Sequence, residues 1–110
     1  MQLNSYLRRI DWDMLIQFQK LAADYFAGNL SSLYGTKYQT GPSNEVIYPT
    51  DGSTQDWATA NGFKYSYTAE LRDTGDHGFI LPSEQIVPTG QETWAGLLAM
   101  ARHFLSTEMP

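Results

Sequence analysis

The side chain in this sequence best placed to do chemistry is Glu70. It belongs to the run Lys64-Tyr65-Ser66-Tyr67-Thr68-Ala69-Glu70-Leu71, which alternates strictly. Tyr65, Tyr67, Ala69 and Leu71 fall on one side, and Lys64, Ser66, Thr68 and Glu70 on the other. Period-2 alternation with aromatic residues predicts a strand with one apolar face. A carboxylate near the end of the polar face, just before the turn signal Asp73-Thr74-Gly75, sits where functional groups often stand. The two histidines offer less. His77 and His103 lack His-x-x-Glu, His-x-x-x-His or Glu-x-x-His spacing, so they supply no set of three ligands for a catalytic zinc. His103 falls in a helical pattern and His77 in a glycine-rich turn. Neither a Gly-x-Ser-x-Gly elbow, a phosphate-binding loop nor a dinucleotide fingerprint occurs.

Composition sets the frame around these residues. The chain has 110 residues, 42% apolar and 14% aromatic, which suits one domain with a modest core. Its net charge of −5, with seven Lys and Arg, argues against a nucleic-acid footprint and against a basic membrane-surface patch. The absence of cysteine removes disulfides, thiolate metal sites and thiol nucleophiles. Met1 to Arg9 has neither the apolar run nor the cleavage site of a signal peptide. No apolar run approaches the ~20 residues of a membrane span.

The elements that would position Glu70 follow from periodicity. Met14, Leu15, Phe18, Leu21, Ala22 and Tyr25, extended by Leu30 and Leu33, predict a helix near 13–33. Asp11 or Asp13 would cap it, and Gly35 would end it. Glu45 to Tyr48 predicts a short strand stopped by Pro49. Gln55 to Asn61 predicts a short helix started by Ser53 or Thr54 and ended by Gly62, and the strand near 63–71 follows. Thr89 and Glu92 fit a capping box for a helix near 90–106. Trp94, Leu97, Leu98, Ala101, Phe104 and Leu105 would form its apolar face.

Several motifs then match one family in order and at its spacing. They are Tyr34-Gly35-Thr36-Lys37-Tyr38, Ile47-Tyr48-Pro49, Gly52-Ser53, Asp56-Trp57 and Gly62-Phe63-Lys64-Tyr65-Ser66. They continue with Glu70-Leu71-Arg72-Asp73-Thr74-Gly75, Gly78-Phe79-Ile80-Leu81-Pro82, Gln85-Ile86-Val87-Pro88-Thr89 and Glu92-Thr93. Together they closely resemble the zinc carboxypeptidases of the A/B (pancreatic-type) family over about residues 30–107. The resemblance implies an α/β fold, the C-terminal portion of a mixed eight-stranded sheet between helices. The chain would divide into an unmatched segment, residues 1–10, and a catalytic-domain portion, residues 11–110.

What the resemblance implies for single residues is specific. Glu70 takes the position of the general base and acid, which accepts a proton from a zinc-bound water and returns one to the leaving amine. Tyr48 matches a mobile-loop tyrosine that closes over the substrate's C-terminal residue, with Ile47 beside it. Phe79 matches an aromatic position lining the cleft beyond the scissile bond. Gln55 takes the floor of the pocket for the C-terminal side chain, with Ser53, Thr68 and Ser43 around it. That floor is aliphatic in A-type members and an aspartate in B-type members. Gln55 is neither, which implies a polar, uncharged pocket.

The family's zinc ligands, a His-x-x-Glu pair and a later histidine, lie upstream of the matched region, as do its substrate-binding arginines. None occurs in these 110 residues. The resemblance therefore implies a C-terminal fragment of a secreted, zinc-dependent enzyme acting on peptide and protein C-termini. It points to no nucleic acid, membrane or oligomer partner. The alternative is a catalytically inactive truncated or vestigial chain, at most a binding module.

Overall fold

The computed structural model describes residues 12–49 and 51–107, with side chains from Ile16 onward. The segment 1–10, Asp11 as a helix cap, and the stripe positions Met14 and Leu15 lie outside that description. The elements are α1 (Trp12–Tyr34), α2 (Ser43–Val46), α3 (Thr54–Ala60), a 3-10 turn (Ser83–Gln85) and α4 (Ile86–Ser106).

Local chemistry accounts for their boundaries. α1 ends at Gly35, whose N–H still reaches the Ser31 carbonyl at 2.8 Å and whose φ of 73° turns the following chain out of the helix. At the start of α3 the Ser53 hydroxyl accepts from the Asp56 N–H at 3.2 Å, and the Ser53 N–H donates to the Asp56 carboxylate at 3.3 Å. This reciprocal capping box is built on Ser53. The helix stops in a Schellman arrangement at Gly62, with Phe63 N–H on Ala58 O at 3.0 Å and Gly62 N–H on Thr59 O at 3.2 Å. α4 begins at Ile86, ahead of the expected start near residue 90. Pro88 is its third residue, where the missing N–H would have had no intrahelical partner. Thr89 is therefore an interior residue, its hydroxyl bonded to the Gln85 carbonyl, and not a cap.

The α/β sheet expectation is overturned: among the described residues no strand is present and every regular element is helical. The expected strand near 45–48 is largely replaced by α2. There the Glu45 and Val46 N–H groups both reach the Pro42 carbonyl at 3.0 Å, and Ile47 N–H reaches Ser43 O at 3.0 Å. Local i→i+3 and i→i+4 bonds win because no neighbouring strand is at hand. The expected strand near 63–71 forms no ladder. Its Lys64 carbonyl accepts from the Gln19 side chain at 2.7 Å, and its Tyr67 hydroxyl donates to the Gln19 carbonyl at 2.9 Å. Alternation specifies which side chains share a face, but a strand exists only where a second backbone completes its hydrogen bonds.

The described residues fall into two compact units. The first holds α1 up to Leu21 together with residues 41–68, hence α2 and α3. The two Gln19 contacts lie within it, as does the tilted Trp57–Phe63 ring pair, 6.2 Å between centroids. The second unit holds residues 22–40 and 69 onward, hence the rest of α1 and all of α4. Its apolar core is Ala22, Phe26 and Leu30, at four-residue spacing. This stripe is only part of the expected one, since Leu21, Tyr25 and Leu33 are about half exposed.

The face of α4 that is buried is also not the expected one. Thr89, Glu92 and Gly96, spaced three and four apart, are its buried residues. Trp94 is 65% exposed and Leu105 85% exposed. Gly96 is small for a reason: a Cβ there would lie 2.8 Å from the Phe26 ring and 2.9 Å from the Phe26 carbonyl oxygen. Glu92 has no exposed side-chain surface. Its two oxygens accept from Arg72 Nε and Nη2, each at 2.8 Å. The Thr36 hydroxyl donates to Glu92 at 2.7 Å and accepts from Arg72 Nη2 at 3.2 Å. The guanidinium also lies over the Tyr34 ring, 5.6 Å from its centroid, and the Tyr34 hydroxyl donates to Gln91. The Arg72 hydrogen bonds hold the Glu92 carboxyl below the usual glutamate range, against the opposing effect of burial.

Two predictions follow from this packing. Gly96→Ala, favourable by helix propensity alone, should destabilise by about 1–3 kcal/mol through overpacking against Phe26, read as a lower thermal midpoint. The Arg72–Glu92 pair should make stability pH-dependent with a defined sign. Because folding depresses the Glu92 pKa, its contribution is present above the unfolded value of about 4.3 and is lost as pH falls through the folded value. In Arg72→Met the buried carboxylate keeps its desolvation but loses its cation, so its pKa rises above the unfolded value. Urea midpoints of that variant should then increase as the pH is lowered through the raised pKa, opposite to the parent chain.

Candidate active site

The residues singled out by sequence divide between the two units. Ile47, Tyr48, Ser53, Gln55 and Thr68 belong to the first, and Glu70 and Phe79 to the second. Ile47 is the C-terminal cap of α2 and is 48% exposed, and Tyr48 follows it at 63% exposure. Ser53 caps α3 and Gln55 stands in its first turn. Thr68 closes the segment that Gln19 fastens through Lys64 and Tyr67. Burial within that contact pushes the Tyr67 phenol well above its ordinary pKa, so it stays a hydrogen-bond donor.

Two of the expected pocket residues meet directly. The Thr68 hydroxyl donates to Gln55 Oε1 at 2.7 Å. This uses the acceptor of the amide and leaves its NH2 group as the donor available to a ligand. Ser53, two residues before Gln55, has its hydroxyl engaged in the α3 cap. These three side chains carry no formal charge, while the exposed Asp56 carboxylate stands in the same α3 cap, bonded to the Ser53 N–H.

Glu70 is exposed in the second unit, as is Phe79, whose side chain is fully in solvent at 108%. The turn that follows Glu70 in sequence is held by Asp73. Asp73 accepts from the Gly75 N–H at 2.8 Å, and its other oxygen lies 2.8 Å from His77 Nδ1. The hydrogen bonds from His77 and Gly75 hold the Asp73 carboxyl below its usual range. His77 is thus a partner of Asp73 in a turn. His103 stacks on Tyr25, 4.6 Å between ring centroids. Among the described residues no three His, Cys, Asp or Glu side chains converge to hold a metal. The described residues therefore do not fit a zinc ion by themselves.

Sequence reasoning missed Arg72 and Glu92 as partners, having taken Arg72 only as part of a motif and Glu92 as a helix cap. One signal was available. Thr89, Glu92 and Gly96 share a helical stripe of polar and small residues that would accept an ion pair more readily than an aliphatic core. Nothing in the pattern named Arg72 as the partner, because the pair is separated by 20 residues.

Comparisons with known proteins bear on what these residues belong to. A family model described as zinc carboxypeptidase matches residues 8–96. The chain is 55% identical to carboxypeptidase A4 of Mus musculus over 74 residues, 67% of this chain and 18% of that protein. It is 49% identical to carboxypeptidase A1 of Homo sapiens over 96 residues, 87% of this chain and 22% of that protein. It is 43% identical to carboxypeptidase B of Astacus astacus over 98 residues, 88% of this chain and 31% of that protein. The chain thus spans between 18% and 31% of the length of these relatives. With a match over most of its residues and both A- and B-type relatives, the chain belongs to the zinc carboxypeptidase family.

Proposed function

We propose that this chain carries the proton-transfer and side-chain-recognition portion of a carboxypeptidase that releases C-terminal residues from peptides and proteins, working as an extracellular enzyme. The observation that carries the reading is the family match over residues 8–96, which includes Glu70 and every expected pocket residue. Glu70 is the general base and acid: its carboxylate takes a proton from the attacking water and gives one to the leaving amine. Exposure of Glu70 is consistent with access to a substrate. The zinc that family members use would have to be held by residues other than those described.

Tyr48 and Ile47, exposed beside α2, are the groups that cover the substrate's C-terminal residue, and Phe79, exposed in the second unit, takes the position of the family's cleft-lining aromatic. Gln55, Ser53 and Thr68 receive the C-terminal side chain. The Thr68–Gln55 hydrogen bond supports a neutral, polar pocket: the amide donors suit an acceptor-bearing or uncharged side chain and offer no counter-charge to Arg or Lys. A second reading concerns the 110 residues acting alone. The absence of a metal-ligating cluster among the described residues favours a chain that does not hydrolyse peptides unaided.

A chimera tests both. The aligned 96 residues of human carboxypeptidase A1 are replaced by those of this chain, and release of C-terminal amino acids is measured. The chimera should be active, and Glu70→Gln should lower kcat by roughly 10²–10⁴-fold, the usual range for loss of general acid–base catalysis. Substrates ending in neutral residues should be favoured over those ending in Arg. Retained activity in Glu70→Gln would end the catalytic assignment, and a strong preference for Arg would end the pocket assignment. The isolated chain, assayed with added zinc, should release nothing, and turnover that depends on Glu70 would reverse the second reading.

A further inference from the structure

Leu71, Arg72 and Asp73 follow Glu70 directly within the same unit, and Arg72 and Asp73 are each held by side-chain hydrogen bonds. Leu71 lines an apolar groove with Leu81, Ile86, Trp94 and Leu97. Arg72 is gripped through both its Nε and Nη2 by the fully buried Glu92 of α4, each at 2.8 Å. Asp73 is fastened into its turn by Gly75 and His77, each at 2.8 Å. Glu70 is exposed. Its Cα is two peptide links, at most about 7 Å, from the first of two consecutive anchors, Arg72 and Asp73.

The chemistry of the first anchor matters. A buried ion pair contributes little net stability compared with apolar residues of the same volume, because desolvation offsets the attraction. What a bidentate guanidinium–carboxylate pair supplies is geometry: two parallel N–H···O bonds fix position and angle together. Here Thr36 adds a third fixed point, bonded to both partners at 2.7 and 3.2 Å. A proton-transfer carboxylate must be held within about 0.5 Å of its productive place, which requires rigid support behind it.

We infer that the Arg72–Glu92 pair is a positioning device for Glu70, locking the backbone beside that carboxylate onto α4. The inference rests on the reading of Glu70 as the proton-transfer group, and Arg72 and Glu92 act only through it. Arg72→Lys keeps the positive charge beside Glu92 but cannot form the two-pronged contact. Arg72→Met/Glu92→Met removes both charges and fills the same space with apolar side chains.

The test is backbone 15N relaxation on the full 110-residue chain, with thermal melting measured in parallel. In the parent chain the amides of Glu70, Leu71 and Arg72 should show order parameters near 0.85, and in Arg72→Lys these should drop below about 0.6 while those of α4 stay rigid. The double Met variant should keep most of the melting temperature yet lose the same local order. A purely structural pair would move the two readouts together. Unchanged order at residues 70–72 in Arg72→Lys, or an equal loss of order along α4, overturns the inference. If the double variant does not fold, Arg72→Lys decides the matter alone. None of these readouts depends on catalysis, so a chimera whose Glu70→Gln form stays active would refute the role of Glu70 and leave the anchoring result intact.

Discussion

The second unit is built around one carboxylate that cannot reach water. Glu92 sits on the inner side of α4 with no exposed side-chain surface, and only Arg72 and Thr36 make its charge tolerable there. Leaving such a group without its cation costs about 3–5 kcal/mol, a large part of the 5–15 kcal/mol that holds a typical domain folded. The requirement propagates outward. Thr36 must lie just past the end of α1, Arg72 must come from the segment after Glu70, and α4 must present Glu92 inward with Gly96 one turn on. Gly96 then admits the Phe26 ring of α1. One buried charge therefore determines how three stretches of the chain are arranged.

Turning Glu92 inward has a cost on the opposite side of the helix. Ile86, Val87, Trp94, Leu97 and Leu105, large apolar residues of α4, are left about half exposed or more. Leu71, Leu81, Ile86, Trp94 and Leu97 line an open groove of about 370 Å³. The chain spans 18–31% of the length of the relatives it was compared with. The alternation in residues 64–71 is a second pattern that the described residues leave unused. It is the pattern of a strand, met in a chain whose described residues offer that strand no neighbour.

The legible parts of the fold were the ones governed by bonds between near neighbours in sequence. The long helices, the Gly35 stop, the Ser53 cap and the Gly62 stop all depend on contacts spanning six residues or fewer, and each was readable as a residue type at a position. Faces were less legible. Two apolar stripes on α1 and α4 were read as buried, yet on α4 the buried stripe is Thr89, Glu92 and Gly96. Hydrophobic periodicity reports what a helix could bury, and it assumes that something is there to cover it. The site showed the same division. The Glu70 motif and the pocket residues were named from sequence, but the direct bond between Thr68 and Gln55 and the grip of Glu92 on Arg72 were not.

By itself the sequence determined family membership, the two long helices and the short one after Ser53, the Ser53 cap with the Gly35 and Gly62 stops, and the identity of the candidate carboxylate. These reside in short motifs and in the local competition for backbone hydrogen bonds. Tertiary structure alone decided that no sheet forms among the described residues, that α4 turns a charged residue inward, and that Arg72 answers it. Those outcomes depend on which distant groups are available to pair a strand edge or neutralise a buried charge. A desolvated carboxylate can select its partner only after the chain has brought the candidates together.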